Sequence, residues 1–168
     1  MRSTYQSVVD EVKNLNGIEE AIALAIEREK EARDFYLSKA AVMDRPKFKE
    51  LYEYLANEEV KHLGYLERYR DKNELPVTST KIPSGQSFTP EFDIGRTKGG
   101  EITLGDAGIL VAALRHERKS EDFYSEVAKR VDDESLKNFF EMLAGFERGH
   151  YELIDQFLEE VTRFRMQT

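Results

Sequence analysis

Residues 55–63 read LANEEVKHL, and within this stretch Glu59 stands three positions before His62. On an α-helix, side chains three positions apart share one face, so a carboxylate and an imidazole at this spacing can bind the same metal ion. Pairs of this kind also arise by chance on solvated helices that are rich in glutamate. The single motif therefore indicates a metal site only if other residues join it.

A second copy of the motif strengthens the metal-site hypothesis. It lies 88 positions later, at Glu147 and His150. The same offset separates two longer stretches, EKEARDFY at residues 29–36 and ERKSEDFY at residues 117–124. The sequence therefore reads as an internal repeat of one helix pair, with a glutamate on the first helix and Glu-x-x-His on the second.

The composition suits a helical protein of one domain, residues 1–168. Charged residues make up 35% of the chain and hydrophobic residues 40%, a balance typical of amphipathic helices. The net charge of −8 argues against a nucleic-acid surface, which needs clustered Lys and Arg. The N-terminus lacks the apolar run of a secretory signal, and no stretch of about 18 apolar residues is present to span a membrane. We therefore expect a cytoplasmic protein that binds neither nucleic acid nor membranes.

The absence of cysteine limits the chemistry of any metal site. Disulfides, zinc ribbons, iron–sulfur clusters and thiol nucleophiles are excluded. A metal site must then use Glu, Asp and His side chains. Such ligands favour iron or manganese, with zinc as an alternative.

The spacing of apolar residues divides the chain into a lead-in helix and two helix pairs joined by a long connection. The first two long helices are joined by a short loop and should be antiparallel neighbours. Three of the four prolines fall in the connection, which is long enough to cross the length of the bundle. Phe88 and Phe92 are candidates for pinning it to the bundle. The predicted boundaries are 1–16 for the lead-in, 17–72 for the first pair, 73–102 for the crossover and 103–162 for the second pair.

Capping residues predict where three of the bundle helices begin. Asp44 is expected to cap the second bundle helix, with Pro46 in its first turn. Thr103 and Asp106 have the spacing of a capping box at the start of the third helix. The pair Asp132-Asp133 is expected to cap the fourth.

Each of the four bundle helices carries one acid in the middle of its apolar stripe. These acids are Glu29, Glu59, Glu117 and Glu147. Burying four carboxylates without compensation costs several kcal/mol for each ion, and none of the four stripes carries Lys or Arg. Two divalent cations would balance the four charges and leave His62 and His150 as neutral ligands. Bundles with one Glu from each of two helices and Glu-x-x-His from each of the other two hold two iron or manganese ions.

These residues resemble the ferritin-like di-iron carboxylate proteins, and most of all the rubrerythrin branch. The matching pattern is Glu29-x-x-Ala32-Arg33 with Tyr36, Glu59-x-x-His62, Glu117 with Tyr124, and Glu147-x-x-His150. The resemblance covers roughly residues 17–162 and implies a ferritin-like antiparallel four-helix bundle, all-α, that binds two Fe ions. It also implies the ligand roles: Glu59 and Glu147 bridge both metals, Glu29 and His62 complete one, and Glu117 and His150 complete the other.

The resemblance also implies that Tyr36 and Tyr124 lie beside the metals, on the ligand face of their helices. Two interpretations stay open for each tyrosine. It is either a core residue with a satisfied hydroxyl or a catalytic residue in redox or proton transfer.

Three further polar residues lie close to predicted ligands in the sequence. Asp34 and Asp122 recur at the same offset and are either exposed acids or hydrogen-bond partners of a ligand histidine. His116 adjoins Glu117 but lies about 100° further around the helix, so we expect it at the surface or behind the ligands.

Two features depart from the rubrerythrin pattern. Rubrerythrins carry a rubredoxin-like cysteine domain for electron delivery, and this chain has no cysteine. They also use an additional glutamate on the third helix, yet the positions three residues either side of Glu117 are Leu114 and Ser120. Glu121, one turn further on, is the remaining candidate. Because the cysteine domain for electron delivery is missing, electrons must come from an external donor.

The expected function is that of a di-iron oxidoreductase that reacts with O₂ or hydrogen peroxide. Ferroxidase or peroxidase turnover with an external electron donor, in oxidative-stress or iron metabolism, fits the resemblance, and we expect a homodimer. Three alternatives stay open. They are an iron-binding or storage protein without turnover, a di-manganese catalase-like site, and a purely structural bundle.

Overall fold

The computed structural model describes residues 4–76 and 103–165, and both ranges are helical apart from short connections. The helices are α1 (Thr4–Lys13), α2 (Ile18–Val42), α3 (Pro46–Lys72), α4 (Leu104–Ala128) and α5 (Glu134–Arg165). α2 packs along α3 and α4 packs along α5, which gives two helix hairpins, while α1 packs on α4. The prediction of an all-α bundle is confirmed.

Part of the predicted architecture falls outside the helices just named. Most of the predicted crossover, with Phe88 and Phe92, lies outside the described residues. Among the helices that are described, none combines the length and the apolar character needed to cross a membrane.

Residues at the helix ends explain where the helices begin. Gly17 precedes α2 with φ 153° and ψ −172°, a conformation that residues with a Cβ rarely adopt. Thr103 and Asp106 form the predicted capping box at α4. The Thr103 hydroxyl accepts from the Asp106 N–H at 3.3 Å, and the Asp106 carboxylate accepts from the Thr103 N–H at 2.7 Å. Asp133 caps α5, as predicted, by accepting from the Leu136 N–H at 2.9 Å.

The predicted cap at Asp44 is wrong. The residue before α3 is Arg45, whose side chain makes no capping hydrogen bond, and Asp44 is exposed. Pro46 occupies the first turn and has no N–H, so one donor fewer needs a cap there. Arg45 instead reaches Asp106 of α4, with Nη1 2.5 Å from Oδ2. An ion pair to α4 therefore replaces the expected cap of α3.

Two apolar clusters fill the bundle, one on each side of a polar middle. The α1-side cluster is built around Val8, Ile22, Leu66, Phe123 and Phe139, and the far-end cluster around Tyr36, Phe48, Leu51, Leu110 and Phe157. Along α2, Ile26 belongs to the α1-side cluster and Tyr36 to the far-end cluster, and the buried Glu29 lies between them. The polar middle is therefore enclosed by apolar side chains on both sides.

Helix α1 is held on the bundle by apolar and polar contacts. Val8 and Val12 are buried in the α1-side cluster. Arg28 of α2, itself buried, donates from Nη2 to Glu11 of α1 and holds its guanidinium 4.6 Å from the centre of the Phe123 ring. A cation on an aromatic face with a carboxylate beside it is stabilised from both sides. This contact joins α1, α2 and α4.

Candidate metal centre

The polar middle of the bundle consists of the six side chains that the sequence predicts as ligands. Each bundle helix contributes one glutamate, and α3 and α5 each add a histidine. All six are buried: Glu29, Glu59, His62, Glu117, Glu147 and His150. The Glu-x-x-His spacing places acid and imidazole on one face of α3 and of α5, because positions three apart are neighbours on a helix. The structure therefore brings all six residues together, and their role as ligands stays a prediction.

The six side chains form two overlapping groups of four. In each group, the nitrogen or oxygen atoms that would bind a metal lie within 4.8 Å of one another. One group consists of Glu29, Glu59, His62 and Glu147, and the other of Glu59, Glu117, Glu147 and His150. Glu59 and Glu147 belong to both groups. This is the arrangement that two bridging carboxylates between two metal ions require.

His62 lies among three carboxylates in the first group. Its Nδ1 is 3.1 Å from Glu59 Oε2, 3.1 Å from Glu147 Oε1 and 3.4 Å from Glu29 Oε2. One ring nitrogen carries at most one hydrogen, so it can donate to only one of these oxygens. The other two carboxyl groups are therefore left without a hydrogen bond from this nitrogen.

His150 occupies the corresponding place in the second group. Its Nδ1 is 3.3 Å from Glu117 Oε2, 3.5 Å from Glu59 Oε1 and 4.0 Å from Glu147 Oε2. These distances are long for hydrogen bonds. They leave the second group as poorly satisfied as the first.

Among the residues that the structure describes, five buried polar atoms of the centre find no hydrogen-bond partner. They are Glu29 Oε2, Glu59 Oε1, Glu117 Oε2, Glu147 Oε1 and His150 Nδ1. Buried polar groups in folded proteins are almost always hydrogen-bonded, so several orphaned atoms at one place indicate a missing partner, for which a cation is suited. Oxygen and imidazole nitrogen are ligands that iron, manganese and zinc accept. The residues present therefore fit a pair of metal ions.

Two tyrosines cross between the hairpins to reach the outer glutamates. Tyr36 of α2 donates to Glu117 Oε1 on α4, and Tyr124 of α4 donates to Glu29 Oε1 on α2. Each tyrosine thereby occupies one carboxylate oxygen, while the second oxygen of the same carboxylate stays unpartnered and faces a histidine. The tyrosines thus orient the carboxylates of the opposite hairpin.

The environment divides the four glutamates into two kinds. Burial, together with the charge of Glu29, raises the pKa of Glu59 to about 7. Burial and the neighbouring carboxylates likewise raise the pKa of Glu147 well above its ordinary value. Burial also opposes ionisation of the outer pair, but His62 outweighs it and lowers the pKa of Glu29 to about 2, and His150 lowers the pKa of Glu117. Ionisation is therefore less favourable at the two shared glutamates than at the two outer ones, and a metal ion that binds there competes with protons.

Glu121, the candidate for an additional ligand, is buried but lies outside both groups. Its Oε2 is 3.0 Å from Arg118 Nη1, and its Oε1 is 2.8 Å from Arg148 Nε. Both of its oxygens are therefore neutralised by arginine. The structure gives this carboxylate a structural partner on each side and leaves six residues in the centre.

The three other polar residues near the motifs, His116, Asp34 and Asp122, also make their contacts outside the centre. His116 is half-buried and stacks on Phe35, with ring centroids 6.3 Å apart. Asp34 is exposed and pairs with Arg33, and Asp122 pairs with Arg118. The interpretation of these two aspartates as partners of a ligand histidine is therefore not supported.

One residue in contact with the centre does not follow from the motif pattern. Phe146 stacks on the His62 imidazole, with centroids 5.2 Å apart and an angle of 15° between the rings. Phe146 directly precedes Glu147 in the sequence, where the other motif has Glu58 before Glu59. The aromatic residue beside the second motif, where the first has an acid, is the signal that the sequence offers.

Comparison with known proteins bears directly on this centre. A family model described as Rubrerythrin matches residues 108–165, which include Glu117, Glu147 and His150. The resemblance to rubrerythrins is confirmed. The rubrerythrin family implies a site for two metal ions, and the buried cluster is compatible with one.

The fold of this rubrerythrin-like chain recurs in a solved structure. A hypothetical protein from Pyrococcus furiosus is 26% identical, with a TM-score of 0.67, and the match covers 91% of this chain and 96% of that one. No curated protein gives a significant match. The ferritin-like helical bundle predicted from the sequence is therefore confirmed.

Proposed function

We propose that the chain binds two iron ions in the centre and reacts with O₂ or hydrogen peroxide, with electrons returned by an external donor. The observation that carries the proposal is the pair of overlapping ligand groups that share Glu59 and Glu147 and leave five buried atoms without partners. A pair of ferrous ions supplies two electrons, the number needed to reduce hydrogen peroxide to two waters with two protons. Ferroxidase or peroxidase turnover follows from that chemistry.

The glutamates and histidines of the chain hold and orient the metals. Glu59 and Glu147, one from each hairpin, lie in both groups and would hold the two ions together. Glu29 with His62, and Glu117 with His150, complete the two ends. Carboxylates bind through one or two oxygens, so this ligand set can follow a change in the charge of the metals. The apolar clusters on both sides keep bulk water away from the ligands.

Tyr36 and Tyr124 are the proposed catalytic side chains beside the ligands. Burial raises the pKa of each phenol well above its ordinary value, with nearby glutamates adding to the effect. Both phenols therefore keep their protons and donate hydrogen bonds, Tyr36 to Glu117 and Tyr124 to Glu29. In our proposal these hydrogen bonds hold the two carboxylates in place when the charge of the centre changes, and a redox or proton-transfer role for the two phenols stays a prediction from the resemblance.

Anaerobic loading with ferrous iron tests the proposal. We expect two irons per chain and rapid consumption of hydrogen peroxide or O₂, with a new optical absorption as the iron is oxidised. Sustained turnover should require an added reductant. The Glu59→Ala variant, treated identically, is the control. Consumption no faster than in this variant would overturn the proposed activity.

The same preparation separates the alternative functions. A storage protein requires a closed shell of many chains, so the mass of the assembly in solution decides that case. A di-manganese catalase-like site predicts manganese in protein purified without added metal, and peroxide consumption that needs no reductant. Zinc found in purified protein would not identify the native metal, because zinc competes well for these ligands.

Several finer predictions belong to the same proposal. The reciprocal contacts of Tyr36 and Tyr124 support an internal repeat, since each half supplies the same residue to the other. A homodimer, a cytoplasmic location and the external electron donor stay predictions from the resemblance.

A further inference from the structure

The residue that stacks on His62 has no aromatic counterpart in the other motif. The His62 ring is nearly parallel to two other rings, with its centroid 5.2 Å from that of Phe146 and 5.3 Å from that of His150. The position that corresponds to Phe146 in the other motif is Glu58. Glu58 is half-buried and pairs with the exposed Lys61, with 2.5 Å between Oε1 and Nζ. The ring that stacks on His62 thus has a charged residue at the corresponding position of the other motif.

The burial of the histidines differs in the same direction. His62 is 1% exposed, whereas His150 is 5% exposed. Phe146 is itself half-buried, packs against the α1-side cluster and covers one face of the His62 ring by stacking on it. A charged pair such as Glu58–Lys61 stays hydrated, whereas a phenyl ring excludes water. Solvent therefore has an easier approach to His150 than to His62.

Loss of a metal ion from a buried site needs a water or another ligand to reach the bond that breaks. A ring stacked on a ligand imidazole also holds that imidazole in its binding orientation, and residues behind the ligands commonly change metal affinity by about 10- to 100-fold. We propose that Phe146 is a positioning residue that acts through His62. It makes the ion held by Glu29 and His62 exchange slowly and leaves the ion held by Glu117 and His150 as the fast one. This inference rests on the proposed dinuclear centre.

Release of ferrous iron to an excess of a coloured chelator tests the inference without measuring turnover. Protein loaded anaerobically with two irons per chain should release them in two phases of equal amplitude, about tenfold apart in rate. The Phe146→Glu variant should lose the slow phase and release both irons at the fast rate. The Glu58→Phe variant should show the opposite, with both irons released slowly.

Two further variants make the test independent of general damage to the fold. Phe146→Leu keeps an apolar side chain but removes the stacked ring, and should speed only the slow phase. Phe35→Leu is the matched control for Phe146→Leu, because Phe35 is another half-buried ring stacked on a histidine, His116, that lies outside both ligand groups. It should leave both phases unchanged.

The outcomes distinguish this inference from the function on which it rests. Equal release rates for the two irons in the unmodified protein, or equal acceleration of both phases in both Phe146 variants, would overturn the role of Phe146 while leaving the dinuclear centre intact. Failure to bind two irons at all would overturn the proposed function itself. The inference would be established if the unmodified protein releases iron in two phases and substitution of Phe146 changes only the slow phase.

Discussion

The two hairpins of the bundle match at the centre and differ around it. Each supplies a glutamate, a Glu-x-x-His pair and a tyrosine that donates to the other hairpin. Behind these residues the resemblance ends, since Phe146 covers His62 where Glu58 stands in the other motif. In our proposal two ions are therefore bound by equivalent ligands and still differ in behaviour, because the difference arises in the side chains behind the ligands.

A second difference lies on the faces of α2 and α4. Arg28 is buried beneath α1, paired with Glu11 and stacked on Phe123. The position 88 residues later is His116, which is half-buried and stacks on Phe35. The lead-in helix α1 therefore covers Phe123, whereas Phe35, the corresponding ring of the other hairpin, stays partly exposed.

The largest effect should come from the glutamates that both halves share. Glu59→Ala removes a ligand from both groups and should abolish binding of both metal ions. Glu29→Ala and Glu117→Ala each remove a ligand from one group and should each cost one ion. Metal content after gel filtration measures all three. If Glu59→Ala kept both ions, the ligand assignment would be wrong, and if Glu29→Ala lost both, the halves would not bind independently.

The next largest effect should come from removing Phe123, whose surroundings differ from those of the corresponding Phe35. Phe123→Ala removes a fully buried ring and the partner of Arg28, and should lower the free energy of unfolding by about 3–5 kcal/mol. Phe35→Ala removes a ring that is already half in water and should cost about 1–2 kcal/mol. Urea denaturation of the two variants, both metal-free, compares them directly. Equal losses would show that α1 adds little at its position.

Metal should stabilise the protein by joining the hairpins. Because the unfolded chain has no preformed site, a ligand at about 100 times its dissociation constant adds about 2.7 kcal/mol. The melting temperature should therefore rise on addition of ferrous or manganous ion and fall again with a chelator. The Glu59→Ala variant should not respond. If neither metal nor chelator changed the melting temperature of the unmodified protein, it would instead be a purely structural bundle.

The smallest effect concerns the different starts of α3 and α4. Thr103→Ala breaks the capping box of α4 and should cost about 1 kcal/mol. Asp44→Ala removes an exposed side chain that caps nothing, and should stay within about 0.5 kcal/mol of the unmodified protein. Thermal unfolding of the two variants compares them. A loss at Asp44 as large as that at Thr103 would contradict the observed helix start.

The placement of the six centre residues could be predicted from the sequence because it depends on helix periodicity alone. A side chain at Glu29 faces the core whenever Ile22 and Tyr36 do, since all three lie on one helical stripe. The capping box at Thr103 is equally local. Predictions of this kind need no knowledge of which helix lies opposite.

Contacts between helices could not be predicted in the same way. The pairing of Glu121 with Arg148 depends on how α4 and α5 face each other, and the stacking of Phe146 on His62 depends on the approach of α5 to α3. The error at Asp44 has a similar origin, because Arg45 binds Asp106 of another helix. Sequence spacing within one helix contains no information on these partners.

The crossed hydrogen bonds of Tyr36 and Tyr124 have a consequence for cutting the chain in two. A fragment that ends before residue 103 keeps Glu29 but loses the phenol that orients it, and the complementary fragment loses the phenol for Glu117. Neither piece holds a finished half of the centre. Mixing them should restore metal binding that each lacks alone, so that the centre behaves as a product of complementation between fragments.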